Sequence, residues 1–122
     1  MNRIVHFEIN SPDPDKAEAF YKNVFDWSFH KWEGPEDYWL ITTGEEGTPG
    51  IDGGMMKSRD GEPRTVNTIA VESVDDYAKS VEENGGQVVV PKMAIQGVGY
   101  VAYCTDPGGV IFGIYRHDES AA

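Results

Sequence analysis

The chain has 122 residues, of which 39% are hydrophobic and 25% charged, with a formal net charge of −11 and one cysteine. This length suits one domain able to bury its own core. The single thiol excludes an intrachain disulfide and a cysteine-rich zinc site, and the acidity argues against nucleic acid and anionic membranes as partners.

Met1 to Phe7 holds no signal-like apolar run, and no window approaches the ~18 apolar residues of a spanning helix, so a cytoplasmic protein is expected. The alternating segment Ile4 to Ile9 reads as a strand, with Val5, Phe7 and Ile9 on one face and His6 and Glu8 on the other. Asp13 and Pro14 then open a helix in which Ala17, Phe20, Tyr21 and Val24 make an apolar face. Three strand-like segments follow, Trp27 to Trp32, Tyr38 to Thr43 and Ile51 to Met56, and the polar stretch Lys57 to Arg64 reads as a linker.

The order then repeats. Thr68 to Glu72 is a strand, and Ser73 caps a helix whose Val74, Tyr77, Ala78 and Val81 carry the same spacing, each 57 residues after its counterpart. Asn84-Gly85-Gly86 ends that helix. Strands are expected over Gln87 to Val90, Tyr100 to Thr105 and Val110 to Tyr115, with turns at Pro91, at Gly97 to Gly99 and at Asp106-Pro107-Gly108-Gly109. The reading is an α+β fold of two tandem βαβββ units, curved mixed sheets around a concave cavity: one domain over 1–119, unit one 1–58, unit two 64–117, with 120–122 a frayed tail. A four-stranded ferredoxin-like fold has too few strands.

The combination His6-Phe7-Glu8-Ile9, Phe20-Tyr21, Phe25-Asp26-Trp27, Gly85-Gly86 and Asp106-Pro107-Gly108-Gly109 resembles the vicinal-oxygen-chelate superfamily, the glyoxalase, bleomycin-resistance and extradiol-dioxygenase group. The stretch Gly53-Gly54 to Gly99-Tyr100 resembles a small bacterial glyoxalase-like subgroup. The resemblance implies a homodimer and, in metal-dependent members, a divalent cation held by His, Glu or Gln from the first, fourth, fifth and eighth strands. Carried onto this chain, those positions are His6, Asp52, Thr68 and Gly113. A threonine hydroxyl is a poor transition-metal ligand and glycine offers none, so no cofactor is expected; if a divalent metal binds, His6 and Asp52 are its candidate ligands.

The site expected from these residues has His6 and Glu8 as candidate catalytic groups, with Thr68, Tyr100, Tyr103, Tyr115, Trp39 and Met56 as candidate ligand contacts. His30 and His117 read as solvated, and Cys104 as a buried inert thiol. The function expected is binding of a small organic molecule in the cavity over a degenerate metal site. The alternatives are a metal-dependent lyase, isomerase or oxygenase using His6 with a carboxylate, and a non-enzymatic dimerisation module.

Overall fold

The computed structural model describes all residues, 1–122. The chain is α+β, with ten elements in the expected order: β1 (Ile4–Ser11), α1 (Pro14–Phe25), β2 (Ser28–Lys31), β3 (Trp39–Thr42), β4 (Gly53–Lys57), β5 (Arg64–Ala70), α2 (Val74–Glu83), β6 (Gln87–Ile95), β7 (Gly99–Thr105) and β8 (Ile111–His117). Two compact units result, His6–Val66 and a second made of Asn67–Ala122 with Met1–Val5. Within the first the strand order is β2-β3-β4-β1, and within the second β5-β8-β7-β6. β1 and β4 run parallel, as do β5 and β8, and the other pairings inside each unit are antiparallel.

Both helices start as their sequences dictate. The Asp13 carboxylate accepts from the Lys16 N–H and the Ser73 hydroxyl from the Asp76 N–H, so each cap satisfies a donor that the helix leaves unpaired. The ends differ. α1 stops at Asp26, a left-handed residue whose N–H reaches the Lys22 carbonyl. α2 stops at Asn84, and Gly85 takes φ +92° while the Gly86 N–H bonds the Val81 carbonyl.

Because the caps lie 60 residues apart, the helices superpose in sequence at that offset and not at 57. The half-buried residues of α1 are Pro14, Ala17, Glu18 and Tyr21, at the positions of Val74, Tyr77, Ala78 and Val81 in α2. The apolar face expected from Ala17, Phe20, Tyr21 and Val24 is therefore rotated: Phe20 and Val24 are 55% and 54% exposed.

In the second unit α2 sets Val74, Ala78 and Val81 against Val71, Ala102, Cys104 and Ile114, which form a buried cluster. In the first, Ile41 and Met55 are fully buried, and Trp27 stacks on Tyr21 at 5.0 Å between ring centroids and tilts against Phe7 at 6.0 Å.

Three segments depart from expectation. β6 runs on through Pro91 to Ile95, with one register shift against β7 before the proline and a second across it. Proline cannot donate to a ladder, and an outer strand with irregular pairing is where a sheet accommodates it. The expected linker is a tight turn in which Ser58 is buried and its hydroxyl donates to the Glu62 carbonyl, and the Asp60 carboxylate takes both arms of the Arg64 guanidinium at 3.0 and 2.7 Å. The C-terminal residues are tied back rather than frayed, since Gly97 N–H donates to the Ala121 carbonyl and Ala121 is buried.

Candidate functional site

Strand pairing assigns each side chain to a face, because residues opposite one another on neighbouring strands point to the same side. In the first unit Glu8 pairs Gly54, Gly54 pairs Leu40 and Leu40 pairs His30. His6, Glu8, Asn10, Met56, Leu40 and His30 therefore share one face. Phe7, Ile9, Met55, Ile41 and Trp39 share the other, which packs with Trp27 and α1.

His6 is half-buried, and its Nε2 lies 3.0 Å from the hydroxyl of Tyr38, the residue just before β3. Burial pushes the imidazole below its ordinary pKa, only partly opposed by the Asp52 charge. Phe7 pairs Gly53, so Asp52 and His6 stand beside one another where that pairing begins. Asp52 is not on β4 itself. It is exposed and its Oδ1 accepts from the Thr43 N–H at 2.9 Å and from the Thr43 hydroxyl at 3.3 Å, which fixes the turn into the strand. Glu8 is 7% exposed and accepts from the Asn10 amide at 3.3 Å.

In the second unit Thr68 pairs Gly113 and Gly113 pairs Tyr103, which puts Thr68, Tyr103 and Tyr115 on one face. Tyr115 accompanies His117: their hydroxyl and Nδ1 are 3.2 Å apart, and the hydroxyl donates to the Val98 carbonyl at 3.3 Å. Burial raises the Tyr115 pKa. Tyr100 lies on the opposite face, packed on the α2 core under the Lys92 ammonium.

The candidate residues thus sort by face. His6, Glu8 and Met56 are together in the first unit, and Thr68, Tyr103 and Tyr115 are together in the second. Trp39 and Tyr100 lie on the helix-packed sides: Tyr100 packs on the α2 core, and Trp39 is half-buried with the Lys31 ammonium 5.4 Å from its ring centroid. Tyr38 escapes local sequence reasoning because its partner lies 32 residues away; the signal in the sequence is Gly54, whose missing side chain leaves room for the ring. His30, read as merely solvated, is exposed but stands on the His6 face. Cys104 is fully buried and burial raises its pKa, which makes it inert.

The donor set does not fit a four-ligand metal site. No group of three or more His, Cys, Asp or Glu side chains converges in the first unit. In the second unit Thr68 and Gly113 occupy the corresponding strand positions, and a Cβ added at Gly113 would meet the Thr68 hydroxyl at 3.3 Å. The Asp-Pro-Gly-Gly landmark is structural. Asp106 Oδ1 accepts from the Gly108 and Val110 N–H groups, closing the turn before β8 while Gly109 takes φ +90°. A cleft of about 310 Å³ opens at the start of α1, lined by Ser11, Ala17, Tyr21, Arg64 and neighbours; it includes neither His6 nor Glu8.

Residues 3–114 match the Glyoxalase/Bleomycin resistance protein/Dioxygenase superfamily. The chain belongs to this superfamily. Among curated relatives it is 29% identical over 113 residues to "Putative glyoxylase CFP32" of Mycobacterium tuberculosis, covering 89% of this chain and 43% of the relative. It is 27% identical over 124 residues to the anthracycline biosynthesis protein DnrV of Streptomyces peucetius, covering 90% and 45%. The chain spans less than half the length of these relatives.

Solved structures share the superfamily fold. The hypothetical protein BH1468 from Bacillus halodurans matches with a TM-score of 0.73 at 18% identity, covering 99% of this chain and 98% of that one. A methylmalonyl-CoA epimerase variant from Streptomyces coelicolor matches with a TM-score of 0.71 at 15% identity, covering 100% and 99%. No helix is long and apolar enough to cross a membrane.

Proposed function

We propose that this superfamily member binds a small organic molecule on the His6 face of its first unit, without the four-donor metal site that the resemblance implies for metal-dependent members. The observation that carries the proposal is the half-buried His6, its pKa lowered by burial, joined to Tyr38 on a sheet face that α1 does not pack against, with the buried acid Glu8 beside it. An apolar floor with a few placed polar groups is the usual composition of a ligand site. Relatives named for a glyoxylase and for anthracycline biosynthesis support an organic ligand. On this reading His6 orients the ligand, Glu8 shapes the charge of the face and Met56 supplies adaptable apolar contact. The chain acts in the cytoplasm as a homodimer, with no nucleic acid or membrane partner.

A thermal-shift and calorimetric screen of neutral, cationic and anionic aromatic compounds tests the proposal. At least one compound should stabilise the protein, and His6→Ala should abolish that shift. A screen without a hit, or a hit indifferent to His6→Ala, refutes it. Stoichiometric nickel, zinc, iron or manganese in the purified protein, lost in His6→Ala, would replace it with a metal-dependent lyase, isomerase or oxygenase.

A further inference from the structure

Tyr38 reaches His6 only because position 54 has no side chain. A Cβ on Gly54 would overlap the hydroxyl end of the Tyr38 ring. Gly54 is not among the residues with positive φ, so its backbone does not call for glycine. The glycine keeps open a gap over β4, and the phenol fills it.

A neutral imidazole has one accepting and one donating nitrogen. Between a phenol and a neutral imidazole, the phenol is the better donor and the bare ring nitrogen the better acceptor. This acidity difference favours Tyr38 as the donor to Nε2, the arrangement that leaves the ring proton on Nδ1. Nδ1 has no hydrogen-bond partner in the protein, yet no side-chain nitrogen or oxygen is buried without one, so Nδ1 reaches solvent.

We propose that Tyr38 is the positioning residue of this face, fixing His6 so that its Nδ1–H is offered to the carbonyl oxygen of an uncharged organic ligand. The inference rests on the ligand-binding reading above and gives it a substrate class. The Asp52 carboxylate at the same end of the face, in a chain of net charge −11, opposes an anionic oxygen in that place. With Nε2 taken, the imidazole presents a donor there and not the lone pair a metal would need.

Long-range nitrogen–proton correlation spectra of the full chain read the ring proton directly, with His6→Gln assigning the resonance. The wild type should show His6 protonated on Nδ1. Tyr38→Phe should lose that preference, and Gly54→Ala should lose it too by displacing the phenol. Calorimetry with 9-fluorenone and with fluorene, which lacks the oxygen, reads the ligand class. Wild type should bind the ketone about tenfold more tightly than the hydrocarbon, as one added hydrogen bond allows. Tyr38→Phe should cut that ratio to about threefold or less.

Protonation of His6 on Nε2 in the wild type, or a ketone preference that survives Tyr38→Phe, overturns the inference while leaving a ligand site standing. If neither compound binds, the carbonyl assignment falls together with binding of planar compounds on this face, and the ring-proton spectra still decide whether Tyr38 positions His6.

Discussion

The two units use one plan with opposite emphasis. In the second, α2 presses Val74, Ala78 and Val81 onto Val71, Ala102, Cys104 and Ile114, and the helix is anchored by apolar contact. In the first, the matching positions of α1 are Pro14, Glu18 and Tyr21, no residue of the helix is fully buried, and contact runs through the Tyr21–Trp27 stack. The unit with the weaker helix anchorage carries the polar face of His6, Tyr38 and Glu8. Duplication thus separates a half that supplies core from a half free to hold polar groups.

The largest effect that would sharpen this contrast is loss of core in the second unit. Ile114 is 2% exposed, so Ile114→Ala should cost about 2–5 kcal/mol in urea denaturation through lost transfer energy and the cavity left behind. A cost of about 1 kcal/mol or less would mean that the α2 layer collapses onto the space and is not the rigid half.

The helix starts should behave alike, in contrast to the helix faces. Ser73→Ala and Asp13→Ala each remove a cap acceptor, at 3.1 and 3.2 Å, and should each cost about 1 kcal/mol by the same measurement. A much smaller cost at Asp13 would show that the first helix contributes little to the cooperative unit.

These caps are also where the sequence was most readable. Asp13-Pro14, Ser73 and Gly85-Gly86 state helix ends through local chemistry, and alternation in Ile4 to Ile9 states which side His6 takes. The face of α1 is not fixed by its own sequence, because two sets of positions satisfy the helical spacing. The more apolar set, with Phe20 and Val24, looks like core, whereas the sheet covers the set containing Pro14 and Glu18. The 60-residue distance between caps decides between them. Continuation of β6 past Pro91 depends on irregular pairing with β7, which local signals do not reveal. The Tyr38–His6 pair depends on space above Gly54, a property of three strands together.

His6 should make stability depend on pH. Its pKa is lower in the folded chain than the ordinary 6.5, so the unfolded chain binds a proton first as pH falls. Stability is intact above about pH 6.5 and declines below it, until the folded chain also takes up the proton. His6→Gln should flatten that part of the curve when urea midpoints are compared between about pH 7.5 and 5. An unchanged slope would remove His6 from the partly desolvated setting on which the site reading depends.

The smallest effect should come from the residues that look most like core. Phe20, Val24 and Phe25 are 55%, 54% and 57% exposed. An exposed side chain loses little water on folding, so Phe20→Ser should change stability by about 0.5 kcal/mol or less, despite removing a large aromatic ring from a helix. The edge-on contact of Phe20 with Tyr21, at 5.2 Å between centroids, adds little while one side of the ring faces water. The measurement should be made across protein concentrations with light scattering in parallel. A small, concentration-independent change in Phe20→Ser confirms that α1 leaves this stripe outside the fold. A large loss that grows on dilution, with a fall in mass, would instead mean that a second copy covers the stripe, and that the weak anchorage of α1 is completed only in the dimer.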